Sequence, residues 1–362
     1  MLILAVNPGS TSTEFGVFDD KKPIIRKKIE HSGDELAIPI LDQFEMRMDC
    51  IIDHTSDYLQ KIKVVSSRGG ILYPMEGGVY EINKGMIDDI RHGRVDAQHA
   101  ANLGILIAYD IKEKFSIPAY MVDPISTDEL WEPARVSGLP EIPRSGRTHS
   151  LNVRAQARRR AKEMKKPLRD TAFIVVHIGG GLTVNLVKRG KICDVADARQ
   201  DGPFSPEACG GLSTPDYTKL CFSGRYTEQE MLRFSYGEGG LRKWLGTSSI
   251  KEIEERIKQG DKKADSIFRA MAYSIARCIG GLMVCGGKID SVILTGGGSK
   301  SKLLVSLVSE YISPYTTIVV YPGSIELEAI VESTLRVLRG EEKIKRYKSR
   351  GTDREALCIF WL

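Results

Sequence analysis

Long apolar runs are missing from this chain. No segment reaches the ~18 consecutive apolar residues that a membrane span needs. The apolar opening Met1–Val6 is short, has no basic flank and meets Asn7-Pro8-Gly9 at once. That pattern reads as a buried strand, not a signal peptide. Cysteine pairing signals are missing too. Cys50, Cys193, Cys209, Cys221, Cys278, Cys285 and Cys358 are scattered, odd in number and form no CxxC pair. This excludes a zinc ribbon and a disulfide framework, and it fits a reducing, cytoplasmic setting. The six histidines form no HxxxH or Cys/His cluster, so a structural zinc is not expected. Strong charge is lacking: 52 Lys+Arg against 47 Asp+Glu leave +5. That is too little to argue for nucleic acid. No GxxxxGK[ST] loop occurs, and the nearest match, Gly281 to Lys288, has Gly287 where lysine is required. No GxGxxG fingerprint opens a βαβ unit either. A bound nucleotide therefore needs a different cradle.

What is present is ordinary globular material, 42% hydrophobic and 27% charged. At roughly 150 residues per domain, 362 residues suggest about two domains. An internal echo supports that division. Ile3–Val6, the turn Asn7-Pro8-Gly9-Ser10-Thr11-Ser12-Thr13 and Glu14–Phe18 recur 170 residues later. The second copy is Phe173–Val176, His177-Ile178-Gly179-Gly180-Gly181-Leu182-Thr183 and Val184–Val187. Each copy reads as strand, small-residue turn, strand, with no gap between the copies. The expectation is a duplicated α/β domain, each half opening with a β-hairpin.

A third glycine turn, Thr295-Gly296-Gly297-Gly298-Ser299, follows the strand-like Asp290–Leu294 and precedes a helix with Leu303, Leu304, Leu307 and Val308 on one face. Strand, glycines, then helix brings backbone N–H groups to a phosphate, although a plain tight turn looks the same. Residues 84–114 and 264–285 read as helical. The basic stretch 150–169 has no interleaved aromatics and reads as a solvated helix face linking the domains, not as an RNA-binding face.

Four places could do chemistry. Arg68 stands between the strand-like Lys63–Val65 and Gly69-Gly70, where a guanidinium can enter a cleft and clasp a carboxylate or phosphate. Asp123 ends Pro118–Val122 just before Pro124, and acids at strand ends often face the ligand crevice. His177 ends a strand beside Gly179–Gly181. Glu326 and Glu328 open the last helix, either complementing its dipole or holding a magnesium ion.

Together with Ser67-Arg68-Gly69-Gly70, Gln98–Leu103, Val122-Asp123-Pro124, His149–Asn152, His177–Gly181, Gly202–Glu207 and Leu294–Gly298, the N-terminal turn resembles the acetokinase family. The likeness is strongest to its butyrate kinase branch, within the acetate and sugar kinase, Hsp70 and actin superfamily. The blocks run in family order along almost the whole chain. The resemblance implies two duplicated actin-like, ribonuclease H-like domains with an ATP cleft between them. It places the first at 1–150, with a C-terminal helix 326–362 packing back on it, and the second, nucleotide-binding one at 151–325.

The resemblance also implies residue roles. Asn7, Ser10 and Ser12 would approach the phosphates, with Asn7 and Glu326 at the metal. Arg68, Asp123, His149 and His177 would be catalytic. Gly179, Gly180 and Gly181 would line the nucleotide, with Thr295, Gly296, Gly297 and Gly298 against the adenosine. The implied cofactors are ATP/ADP and Mg2+, and the implied partner is a short-chain carboxylate such as butyrate or a branched acid, phosphorylated to an acyl phosphate. No nucleic acid or membrane is expected as a partner; a homodimer or higher homo-oligomer is. The same fold also serves sugar kinases, polyphosphate hydrolases and non-catalytic actin-like ATP switches. One departure stands out: relatives usually carry an arginine directly after the Ser-Pro-Glu motif, whereas here Ser205-Pro206-Glu207 is followed by Ala208. Arg147 is the nearest candidate to replace it.

Overall fold

The computed structural model describes residues 1–349; residues 350–362, including Cys358 and the expected end of the last helix, lie outside the described residues. The chain divides into two compact units. One is Met1–Asp128 together with the segment from Ile325 onward, and the other is Glu129–Ser324.

The first unit contains β1 (Leu2–Pro8), β2 (Ser12–Asp19), β3 (Lys22–Glu30), β4 (Val64–Arg68), β5 (Val79–Glu81) and β6 (Ala119–Val122). β1, β2 and β3 form an antiparallel meander, and β4 and β6 add in parallel beside β1. β5 and the short strand Lys345–Arg346 complete the far edge. Parallel neighbours need crossovers, and helices Phe44–Leu59 and Ala100–Phe115 provide them. Small residues let Ala100–Phe115 settle close to the sheet: a Cβ on Gly104 would lie 2.9 Å from Pro8. The period-2 alternation assigns the faces. Leu4, Val6 and Val65 share a core with Leu103 and Ile107. Ser66 points the other way and accepts a 2.7 Å hydrogen bond from Thr334 of helix Glu326–Leu338.

The second unit repeats the plan with β7 (Ala172–Ile178), β8 (Leu182–Lys188), β9 (Lys191–Asp197), β10 (Ser291–Gly296) and β11 (Ile318–Pro322). The strand order β9-β8-β7-β10-β11 matches β3-β2-β1-β4-β6, with the same antiparallel meander and parallel additions. Ile174 and Val176 face helix Lys262–Gly286 with Phe268, Met271 and Ile275, while Phe173 and Val175 face helix Ser150–Glu163 with Val153 and Ala157. By length and composition Lys262–Gly286 could cross a membrane. One face, with Phe268, Met271, Ile275, Ile279 and Leu282, fills this core, while Tyr273 and Val284 are exposed.

Five expectations need correction. The echo is not gapless. Pro8 pairs with Thr13 across a four-residue turn, and Ile178 pairs with Leu182 across three. The second strands are therefore offset by one residue less than the first. The stretch 84–114 is two helices, Lys84–Arg91 and Ala100–Phe115. Residues 129–150, assigned by sequence to the first domain, belong to the second unit. They are tied there by Glu129 to Arg154 and to the Ile192 amide, by Trp131 to the Cys193 carbonyl, and by Arg144 to Asp194. Among the described residues the last helix ends at Leu338 rather than running on.

The basic helix is also no solvated linker. Leu151, Val153, Ala157 and Ala161 are buried against the second sheet, and several of the surrounding cations are engaged within the unit. Arg154 meets Glu129 at 3.0 Å, the Arg159 guanidinium stacks 3.9 Å over the Tyr321 ring, and Lys166 meets Asp290 at 2.8 Å.

Candidate active site

Parallel strands end on the same side, so the C-terminal ends of β1, β4 and β6 set out a row of side chains. The register aligns Val6 with Ser67, and Arg68 with Val122. This places Asn7, Arg68 and Asp123 along one edge of the first sheet, where α/β folds bind ligands. Glu326 joins them from the first turn of its helix. Its Oε2 accepts from Asn7 Nδ2 at 2.7 Å and from Arg68 Nη1 at 3.1 Å. Both partners of that ion pair are well shielded, 14% and 13% exposed. Glu328, the other sequence candidate, turns to Arg26 at the surface. Asn7 Oδ1, Ser67 Oγ and Arg68 Nε are buried without a hydrogen-bond partner.

Asp123 is 1% exposed and sits at φ 37°, a conformation costing about 1–3 kcal/mol for a non-glycine residue. A two-way clasp holds it: its backbone N–H donates to the Gly78 carbonyl, and its Oδ1 accepts from the Gly78 amide at 2.8 Å. Gly69 and Gly70 have a packing reason to be glycine. A Cβ would lie 2.5 Å from Pro124 at the first and 1.8 Å from Asn102 Oδ1 at the second. Ser10 is exposed at the turn, and Ser12 is buried at the start of β2.

In the second unit, His149 and His177 stack nearly parallel, ring centroids 4.0 Å apart and planes 7° from each other. His149 Nδ1 lies 3.2 Å from Thr183 Oγ1. The amide Nδ2 of Asn152 lies 2.9 Å from His177 Nδ1. An amide N–H2 only donates, so Nδ1 accepts and the ring proton sits on Nε2. Nε2 in turn faces the glycine turn, 3.5 Å from where a Cβ on Gly179 would be, and His149 Cε1 lies 3.7 Å from the same position on Gly181. Ser205 Oγ and the Glu207 amide both donate to the Gly180 carbonyl, at 2.7 and 3.1 Å. The turn is thus gripped from behind while its glycines leave room in front.

Thr295 is fully buried. Its Oγ1 donates to the Gly323 carbonyl and receives from Asn152 and Gln156. Gly296, at φ 87°, and Gly298 pack against Ile178, where a Cβ would come within 2.4 Å. Of Thr295–Gly298 only Gly297 is exposed. Ala208 is 2% exposed and belongs to the apolar core of the second unit. Arg242 stands nearby instead. It donates to Glu207 Oε1 at 2.9 Å, and the other Glu207 oxygen would lie 2.4 Å from a Cβ on Gly180. Sequence reasoning missed Arg242, which comes from a different helix, Gly240–Leu245. Arg147 is half-buried two residues before His149.

The acetokinase family profile matches residues 144–316. Butyrate kinase 2 of Clostridium acetobutylicum is 42% identical over 353 residues, covering 96% of this chain and 99% of that protein. Among solved structures, Porphyromonas gingivalis acetate kinase superposes with a TM-score of 0.75 at 17% identity, covering 93% of this chain and 99% of that one. A propionate kinase from Francisella tularensis gives 0.72 at 16%, covering 91% and 98%. The two structures establish an actin-like fold. The near-full-length identity to the clostridial protein, together with the ordered motifs now seen at strand ends, shows that the chain belongs to the acetokinase family.

Proposed function

We propose that this chain is a carboxylate kinase that reversibly transfers the terminal phosphoryl group of MgATP to butyrate or a similar short or branched acid. The observation that carries the reading is the 42% identity across nearly the whole chain to a butyrate kinase. The shielded Asn7–Arg68–Glu326 cluster adds support.

The chemistry explains the residue types. A carboxylate with a pKa near about 4–5 is already ionised at neutral pH and needs no strong base. The difficulty is bringing it towards a polyphosphate, so the protein must supply positive charge, hydrogen-bond donors and in-line alignment. Arg68 serves as the guanidinium for the acid or the moving phosphoryl group, held in place by Glu326. His177 offers Nε2–H as a donor to a phosphoryl oxygen, its tautomer set by Asn152. His149, stacked on it, holds the ring plane. Gly179–Gly181 present backbone to the nucleotide, with Gly297 as the open position of the third turn. Asp123, locked by Gly78, orients groups rather than taking a proton.

Mg2+ is a hard cation that binds few protein oxygens and completes its shell with phosphates and water. Asn7 Oδ1, buried without a partner, and the Glu326 carboxylate fit that demand and would hold it. When bound, the ion neutralises phosphate charge. The protein is proposed to act in the cytoplasm as a homodimer or higher homo-oligomer, and Phe222, Tyr236 and Trp244 stand exposed on the second unit. The reverse reaction tests the reading. Butyryl phosphate with MgADP should yield ATP, and failure to form ATP from any short acyl phosphate would sink it.

A further inference from the structure

Arg47 is the largest fully buried side chain, 0% exposed, on helix Phe44–Leu59 of the first unit. Its Nη1 donates to the Gly9 carbonyl at 3.0 Å, the Ser12 carbonyl at 3.1 Å and Thr13 Oγ1 at 3.0 Å. Its Nε and Nη2 donate to Gln43 Oε1, at 3.3 and 2.9 Å. All these acceptors are neutral. Among the described residues no carboxylate forms an ion pair with it, and only weaker influences from Cys50 and Glu35 oppose the burial. Burial pushes its pKa down, yet a guanidinium stays protonated at neutral pH. A buried cation without a counter-ion is costly to a fold.

The cation is placed behind the β1–β2 turn. A trans peptide points its C=O and the next residue's N–H in opposite directions, and there are no cis bonds. With the Gly9 carbonyl drawn inward to Arg47, the Ser10 N–H points away from it. The Thr11 carbonyl is likewise taken, by the His31 amide. Ser10 and Thr11 are exposed. The Gly9, Thr11 and Ser12 carbonyls are thus occupied, the Gly9 amide is closed onto the Ser12 carbonyl, and the Ser10 N–H is left pointing away from a full positive charge behind the turn, which favours an anion at Ser10.

We propose that Arg47 is a positioning residue for nucleotide binding: it shapes the Gly9–Ser12 turn and supplies the buried charge that a polyphosphate anion at Ser10 N–H compensates. The inference rests on the kinase reading above and adds a group that does not touch the ligand. Ser205, behind Gly180, is the neutral counterpart in the second unit.

The test compares Arg47→Lys and Arg47→Gln in the full chain by calorimetric titration with MgADP, alongside apo Tm and the KM of the acid. Lysine keeps the charge; glutamine keeps a donor and loses the charge. Arg47→Gln should raise the Kd for MgADP at least about tenfold, with apo Tm unchanged or higher and acid KM moved less than about twofold. Arg47→Lys should retain most of the affinity. Wild-type affinity in Arg47→Gln would overturn the inference, as would equal loss in both variants in step with lost folded protein. Should Arg47→Gln fail to fold, Arg47→Lys decides: near-native Kd supports the inference, and a tenfold rise overturns it. A wild-type chain that bound no MgADP would instead overturn the kinase reading itself.

Discussion

Arg68→Ala removes the clamp opposite Glu326. It should cost on the order of 10²–10³ in kcat, as losing an oxyanion donor does, while MgADP affinity stays near wild type. A variant with only a modest change in kcat/KM would take Arg68 out of the chemistry. His177→Ala should lower kcat more than it raises the KM for ATP, because the imidazole is assigned to the moving phosphoryl group. Asn152→Leu should do the same more weakly and alter the pH profile, since it releases the tautomer. An unaltered profile would leave Asn152 as packing alone. Ala208→Arg, which restores the residue usual in relatives, should lower Tm rather than raise activity. A charge forced into an apolar core costs several kcal/mol, about 3 or more. Higher kcat/KM in that variant would show that the pocket opens.

Residues at this scale were unevenly legible. The positions of Arg68, Asp123 and His177 at or beside the end of an apolar strand were legible, because glycine or proline follows within two residues. Those of Arg242 and Arg47 were not, since Glu207 and the Gly9–Thr13 turn, the partners that tie them to the glycine turns, lie 34 to 38 residues away in sequence and on separate elements. Charge alone does not separate them from surface arginines.

Elements were read well where periodicity is strong and less well at their ends. β1 and β7 were legible as strands because both are near-continuous apolar runs, the mark of a strand buried on both faces, but such a run does not show which residue faces which helix. The turn joining each hairpin was misjudged by one residue, since small residues around it blur the alignment of the two copies. The basic helix was misread because its cations hide an apolar stripe at Val153, Ala157 and Ala161.

Two expectations belong to elements. Asp261 caps helix Lys262–Gly286 by accepting from the Ala264 amide. That hydrogen bond, with the Arg256 guanidinium, holds its pKa below the ordinary aspartate value. A depressed pKa stabilises the fold above the unfolded value, near about 3.9, and the benefit fades as pH falls through the folded value. Asp261→Ala should therefore lower Tm at pH 7, and the gap to wild type should close on acidification below that range. A gap constant with pH would mean that the charge contributes nothing. Gly296→Ala places a methyl 2.4 Å from the Ile178 carbonyl at φ 87° and should cost about 2 kcal/mol or more in denaturant titration.

For the whole molecule, the duplication was visible because two copies of one strand plan survive in the sequence, whereas the unit boundary was not. Residues 129–150 have little regular structure, and contacts with distant residues, such as those of Glu129, Trp131, Arg144 and Thr148, reveal where they belong. The molecule as a whole is a carboxylate kinase of the acetokinase family, for which we propose a pocket suited to four carbons. Two extra methylenes at ~0.8 kcal/mol each favour butyrate over acetate by roughly fifteenfold. Trapping the product with hydroxylamine, at saturating MgATP and with acetate, propionate, butyrate, isobutyrate and glucose as acceptors, tests this most directly. The account predicts acyl hydroxamate from the acids, with kcat/KM for butyrate or isobutyrate about tenfold or more above acetate. Acetate as the best acid would contradict the four-carbon pocket. No hydroxamate from any acid, with ATP consumed only in the presence of glucose, would contradict the account itself.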